Sequence, residues 1–391
     1  MSGPLQGVKV VELGVWVAAP AAASILADWG ADVVKIEAPA GDPLRAASAA
    51  VLPPGAGSNP HFEPDNRGKR SVALDLRSAD GLAAMLALLD SADVFVTNVR
   101  AAGLARLGLD PDAVRARNPR LVYALITGYG LTGPDSGAGA FDLGAFWARG
   151  GVAHLLTVPG EAPPIQRQAM GDHQTGLAAA AMISAALFDR ERTGAGQVVS
   201  TSLLRVAAYH VAADLHVKLM LGTEPDYPDR RALSNPLWNN YAASDGRRLW
   251  LINPAPGRAW PILAELVDRV EWLDDPRYAT QQARADNCRA LITELDEIFA
   301  RRSFDEWARL LDTKPDLLWA PVNTLDDILA DPQTAAAGTF VEVDEHRQIA
   351  TPADFHGTPC PAPTGAPGLG EHTDKVVAAL AELPGAWPAR G

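Results

Sequence analysis

Cysteine is almost missing: Cys288 and Cys360 are the only two in 391 residues, and neither lies in a CxxC pair or beside clustered histidines. That excludes a disulfide framework and a local zinc cluster. Each thiol reads as a buried structural one, and no metal site is expected. The chain also lacks any uninterrupted run of ~20 apolar residues, and its first residues lack the basic-then-apolar order of a secretory signal. A cytoplasmic protein with no membrane partner is expected. Positive charge is scarce as well, with 34 Lys and Arg against 47 Asp and Glu and a net charge of -13. Nucleic acid is repelled on average, so any anionic ligand must meet a local basic patch.

Two absent motifs narrow the chemistry. The turn after the first apolar run reads GVWVAAP at 14–20, without G-x-G-x-x-G. A dinucleotide pyrophosphate would find no close-approach glycines there, although Glu37 stands about where a ribose-binding acid would. No G-x-S-x-G elbow occurs either, so no Ser/His/Asp set is recognisable.

What the chain does have is core material: 48% of it is hydrophobic and 21% charged, enough for more than one domain. Residues 8–13 form a β-branched run, an Ala-rich stretch follows to Trp29, and a second run covers 32–36. The pattern recurs as strands at 71–76, 94–98 and 121–127, with a helix at 81–89. Such alternation predicts α/β architecture with a parallel, Rossmann-like sheet. Ligands of these sheets bind beyond the carboxyl ends of the strands.

A large domain is expected over 1–222 and a linker over 223–236, the latter following a helix at about 203–221. A smaller α+β domain is expected over 237–335, and a C-terminal segment, 336–391, that returns to the first. The small domain is marked by six of the ten Trp residues between 238 and 319, and by the S-x-x-E capping box of Ser303 and Glu306.

Arg45, Lys69, Arg70, Arg100 and Arg106 all fall in or near strand-end turns of the first domain. They are either solvated surface charges or a patch for a phosphate-bearing ligand. GDHQTG at 171–176 is the sharpest local feature. Asp172 sits where a helix would begin and reads first as an N-cap, worth ~1 kcal/mol. Its functional reading is a carboxylate kept ionised by the helix terminus and approached closely between glycines, able to attack a thioester. Backbone N–H groups of nearby glycines would hold the oxyanion. His173 and His154 are candidate acids or bases, with structural hydrogen bonding as the plainer alternative.

Taken in order, these stretches resemble the class III CoA-transferase family, which includes formyl-CoA and carnitine-type CoA-transferases and, on a related branch, α-methylacyl-CoA racemases. The matching stretches are GVKVVELGVWVAAP at 7–20, LADWGADVVKIE at 26–37, GDPLR at 41–45, NRGKRSVALDL at 66–76 and DVFVTNVRAAGLARLG at 93–108. TGYGLTGP at 127–134, GDHQTG at 171–176, DPRY at 275–278, APVN at 320–323, DPQ at 331–333 and LGEHT at 369–373 follow. The resemblance implies a CoA-binding large domain and an interlocked homodimer, with the active site between the large domain of one subunit and the small domain of its partner. It implies Asp172 as nucleophile and CoA contacts at Val15, Trp16, Lys69, Asn98, Val99 and Arg106, with Arg45 in the same basic cluster. CoA and acyl-CoA enter as substrates, with no permanently bound cofactor. The implied activity moves CoA between two carboxylic acids through an aspartyl anhydride and an aspartyl-CoA thioester.

Three departures bear on the substrate. Phe141 stands where the racemase branch carries a His, which demotes proton transfer α to the thioester. Val17 and Ala19 alter the turn that often holds Gln and Gly in transferases. NPAPG at 253–257 replaces a flexible glycine run. A CoA-binding protein with little turnover and a racemase are the alternatives to the transferase, with a nicotinamide-dependent dehydrogenase a distant third.

Overall fold

The computed structural model describes residues 3–49, 59–224, 229–383 and 385–390; residues 225–228 of the expected linker lie outside the described residues. The chain forms two compact units, Met1–Pro225 with Gly338–Gly391, and Asp226–Ala337.

The first unit is built on six strands: β1 (Lys9–Leu13), β2 (Asp32–Glu37), β3 (Arg70–Ala73), β4 (Val94–Thr97), β5 (Val122–Thr127) and β6 (Val198–Ser202). They lie in the order β3-β2-β1-β4-β5-β6, and every neighbouring pair is parallel. Sequences such as VFVT in β4 and VYALIT in β5 are apolar on both faces because helices cover both.

Alternation along β1 sends Val10 to one layer and Val11 to the other. On Val10's side, α1 (Ala18–Asp28) and the Met170–Thr193 helix supply Ala19, Ala22, Leu26, Ala179 and Ile183. On Val11's side the Ala79–Ser91 helix supplies Met85, Leu88 and Leu89, and the Thr373–Glu382 helix adds Val376 and Leu380.

The sequence reading missed β6, and the helix expected over 203–221 is two, Leu203–His210 and Ala212–Leu221, broken at Val211. The sheet changes direction of growth between β1 and β4, which is the switch point where open α/β sheets bind ligands.

The second unit has an antiparallel sheet of β7 (Trp238–Ala242), β8 (Arg248–Ile252) and β9 (Trp319–Pro321). Its core gathers Tyr241, Trp260, Trp272, Phe299 and Trp307, which explains the tryptophan density of the segment. The Ser303–Glu306 capping box forms, starting a helix that buries Phe304, Trp307 and Leu311.

Candidate active site

The turn after β1 is held by a buried charge network. Glu12 and Lys35 are opposite one another in the β1–β2 register. Lys35 Nζ donates to Glu12 Oε1 at 2.8 Å, to Asp42 Oδ2 at 3.0 Å and to the Gly14 carbonyl at 3.1 Å. Burial opposes the Lys35 charge, but Glu12 and Asp42 outweigh it and raise its pKa. Asp42 Oδ1 in turn accepts the N–H of Trp16, a residue in the left-handed region at φ 64. Asn98, at the end of β4, clasps the same turn: its Oδ1 accepts from Val15 N at 3.0 Å and its Nδ2 donates to Val15 O at 2.7 Å. The carboxamide thus works as a backbone mimic that fixes Val15 and Trp16.

Beyond these strand ends lies a cavity of about 810 Å³, whose walls include Trp16, Asn98, Val99, Arg100, Arg106, Thr127, Phe141, Asp142 and Asp172. A second cavity of about 450 Å³ lies over the ends of β1, β2 and β3, lined by Val15, Glu37, Asp42, Arg77 and, again, Val99.

Asp172 is the third residue of its helix rather than the N-cap, a position that falls to Ala169. It is half-buried at the cavity wall. Burial first, then the Asp142 carboxylate, raise its pKa to about 7; Asp65 adds to the rise and His173 opposes it. The expectation that the helix terminus keeps Asp172 ionised is therefore reversed, because desolvation and two like charges outweigh a dipole effect of ~0.3–1 kcal/mol.

The flanking glycines also serve a different purpose from the one expected. A Cβ on Gly171 would collide with Phe146 and Asp142, and one on Gly176 would come within 2.8 Å of Ala21 Cβ. They admit protein atoms, and the Gly171 N–H is already taken by Asp142 Oδ2 at 3.1 Å, so it is no oxyanion donor.

The basic cluster divides in two. Arg100 and Arg106 are exposed and reach the larger cavity. Lys69 does not: its ammonium is fully buried, 2.6 Å from Glu12 Oε2, and also bonded to the carbonyls of Pro20 and Asp65. Burial pushes its pKa down to about 8. Arg45 makes a fork with Glu37, through Nε and Nη2 at 2.8 Å each, and lies over the Phe62 ring. Arg70 pairs with Asp32 at 2.8 Å. These three are engaged inside the unit, so of the five cations weighed as solvated charges or a phosphate patch, Arg100 and Arg106 are the two that reach the larger cavity.

His173 Nε2 lies 3.1 Å from Asp65 Oδ1, a hydrogen bond that raises the imidazole pKa, and the ring is not on the cavity wall. His154 pairs with Glu224 at the surface. Val17 packs with Ala21, Leu44 and Phe62 instead of lining the cavity. Phe141 does line it, 66% exposed, with its ring edge-on to Trp16 at 5.6 Å between centroids. Pro254 is exposed on the second unit, beside the buried Asn253. Sequence reasoning missed Asp142, Arg77 and the Glu12–Lys35–Asp42 network. Opposite charges inside two apolar strands were the available signal for the network.

A carboxylate in a switch-point cavity with two arginines at its wall fits thioester chemistry on a phosphate-bearing carrier, and the chain's likenesses agree. The model of CoA-transferase family III matches residues 5–373. The chain belongs to CoA-transferase family III. This family III chain is 33% identical to the (R)-2-hydroxy-4-methylpentanoate CoA-transferase of Clostridioides difficile, over 96% of its own length and 95% of that protein's. It is 31% identical to the cinnamoyl-CoA:phenyllactate CoA-transferase of Clostridium sporogenes, over 95% and 92%. A solved structure of a CAIB/BAIF family protein from Brucella suis superimposes with a TM-score of 0.86 at 32% identity, covering 97% of this chain and all of that one. Among the described residues of the family III chain, no helix is long and apolar enough to cross a membrane.

Proposed function

We propose that this chain is an acyl-CoA:carboxylate CoA-transferase that moves CoA between two carboxylic acids, with Asp172 as nucleophile. The carrying observation is the Asp172 carboxylate on the wall of the switch-point cavity of a family III chain. Asp172 attacks the thioester of a donor acyl-CoA, giving a mixed anhydride and free CoA thiolate. The thiolate then attacks the aspartyl carbonyl, releasing the donor acid and leaving an aspartyl-CoA thioester. An acceptor carboxylate repeats the two steps in reverse and leaves as the new acyl-CoA.

Supporting roles follow from the walls. Val15, Trp16, Asn98 and Val99 form the turns that a CoA chain would run along between the two cavities, and Arg106 and Arg100 supply charge for its phosphates. Lys69 and Arg45 act on that site through Glu12 and Glu37, which set the turn. A racemase needs a second base beside Asp172, and Phe141, where that branch carries its His, offers only hydrocarbon to the cavity.

The working form is an interlocked homodimer in the cytoplasm, free of permanently bound cofactor. The Ala212–Leu221 helix supports the dimer: no residue of it is buried, and Leu219, Met220 and Leu221 are 70–79% exposed. A second copy of the chain is the occupant that would cover it, and sedimentation as a monomer counts against this.

The deciding experiment incubates the protein with candidate acyl-CoA donors and seeks by mass spectrometry a CoA thioester on Asp172, with Asp172→Ala as control. An adduct and exchange between acids support the transferase. Tight binding with neither points to a CoA-binding protein, and deuterium exchange at the α carbon without transfer points to a racemase.

A further inference from the structure

The residues around Asp172 are held by a side chain from outside their helix. The N-cap, Ala169, is left-handed at φ 61 and has no side chain to cap with. That conformation costs a non-glycine residue on the order of 1 kcal/mol, and the first N–H groups of any helix need an outside acceptor. Asp142 provides one. Its Oδ2 accepts the Gly171 N–H at 3.1 Å, while its Oδ1 accepts Gln166 Nε2 at 2.8 Å. It is 8% exposed and lies on the wall of the same cavity as Asp172.

A neutral Asn or Ser would satisfy the same N–H. A carboxylate adds a fixed negative charge beside the group that reacts. The charged groups acting on Asp172 are Asp142, Asp65 and His173. Asp65 is bonded to His173, whereas both hydrogen-bond donors to Asp142 are neutral.

We propose that Asp142 is the positioning residue of the nucleophile: it anchors the turn that carries Asp172, and its charge favours the acylated, uncharged Asp172 over the free carboxylate. This rests on Asp172 being the nucleophile. When an Asp172 oxygen bonds to the thioester carbon, the C–S bond breaks and the negative charge leaves with the CoA thiolate. When that thiolate bonds to the aspartyl carbon, the C–O bond to the acyl group breaks and the charge leaves with the released carboxylate. Asp142 exchanges no atom in either step. Its repulsion raises the free energy of the ionised Asp172 more than that of the acylated, uncharged one, which makes that carboxylate more basic and a stronger nucleophile.

The test uses the full chain with a donor acyl-CoA that labels the wild-type protein, and compares Asp142→Asn and Asp142→Ser. Both keep an acceptor for the Gly171 N–H and remove the charge. The expected result is an acid limb of the kcat/KM profile about one pH unit lower, a several-fold loss of kcat and of covalent Asp172 adduct, and a KM for acyl-CoA within about twofold of wild type. A purely structural cap leaves the acid limb where it was, so a wild-type profile and adduct level in both variants overturn the proposal. If the wild-type protein itself forms no adduct on Asp172, the nucleophile reading fails first and the role of Asp142 falls with it.

Discussion

Glu12 and Lys35 face each other across β1 and β2, 2.8 Å apart and wholly out of solvent, and the second oxygen of Glu12 takes Lys69 at 2.6 Å. With Asp42 on the far side of Lys35, two cations and two anions balance in the interior. Lys69→Ala leaves Glu12 with one of its two partners, and removing one member of a buried pair costs roughly 3–5 kcal/mol. Urea denaturation is expected to show that loss. If Lys69 instead held a CoA phosphate, the variant would keep its stability and raise KM.

Arg106 makes the opposite contrast. It is exposed, and its Nε donates only to the Ala102 carbonyl of its own helix among the bonds described. Arg106→Ala is expected to raise KM for acyl-CoA about 5- to 30-fold, the weight of one charge-assisted contact, with Tm unchanged. Arg45→Ala leaves the buried Glu37 without its fork and is expected to lower Tm. Steady-state kinetics beside thermal melts separate the two.

Asp172 gives a pH-dependent stability. The folded chain keeps that proton up to about pH 7, whereas the ordinary carboxylate loses it near 3.8. Between those values the folded state binds more protons than the unfolded one, so this group's contribution falls as pH rises and stays low above 7. Asp172→Asn carries no such penalty. Its stability gain over wild type is expected to be near zero at pH 4 and roughly 1–3 kcal/mol at pH 8. A gain that does not vary with pH would contradict the raised pKa.

Gly176 is where the Met170–Thr193 helix crosses α1. An added Cβ would also lie 3.1 Å from the Ala18 carbonyl oxygen and the Ala22 nitrogen. Backbone atoms cannot rotate aside, so Gly176→Ala is expected to cost about 1–3 kcal/mol and to reduce kcat by displacing Asp172. Gly257→Ala, with open space around its missing Cβ and no left-handed φ, serves as the tolerated control in the same melts.

Five strands of the main sheet were legible because parallel strands covered on both faces read as unbroken apolar runs. β6 was not: its VVSTS is partly exposed and polar, as an edge strand's can be. The break at Val211 has no Gly or Pro to announce it. Asp172 was singled out by ordered motifs, but its raised pKa was not legible, since Asp142 and Asp65 reach it from distant parts of the chain. Lys69 and Arg45 looked like ligand cations because a sequence shows charge without showing the buried acids that claim it.

The two crowded glycines divide the cavity into parts with different evolutionary freedom. Gly171 and Gly176 sit tightly against Phe146, Asp142 and α1, so a change there disturbs the packing beneath Asp172. Another part of the lining is permissive: Gly137 lines the cavity with nothing near its missing Cβ, and Gly139 has equal room. Descendants of this chain, natural or selected in the laboratory, would therefore acquire new acids through substitutions at 137 and 139 sooner than through changes in the helix that carries Asp172.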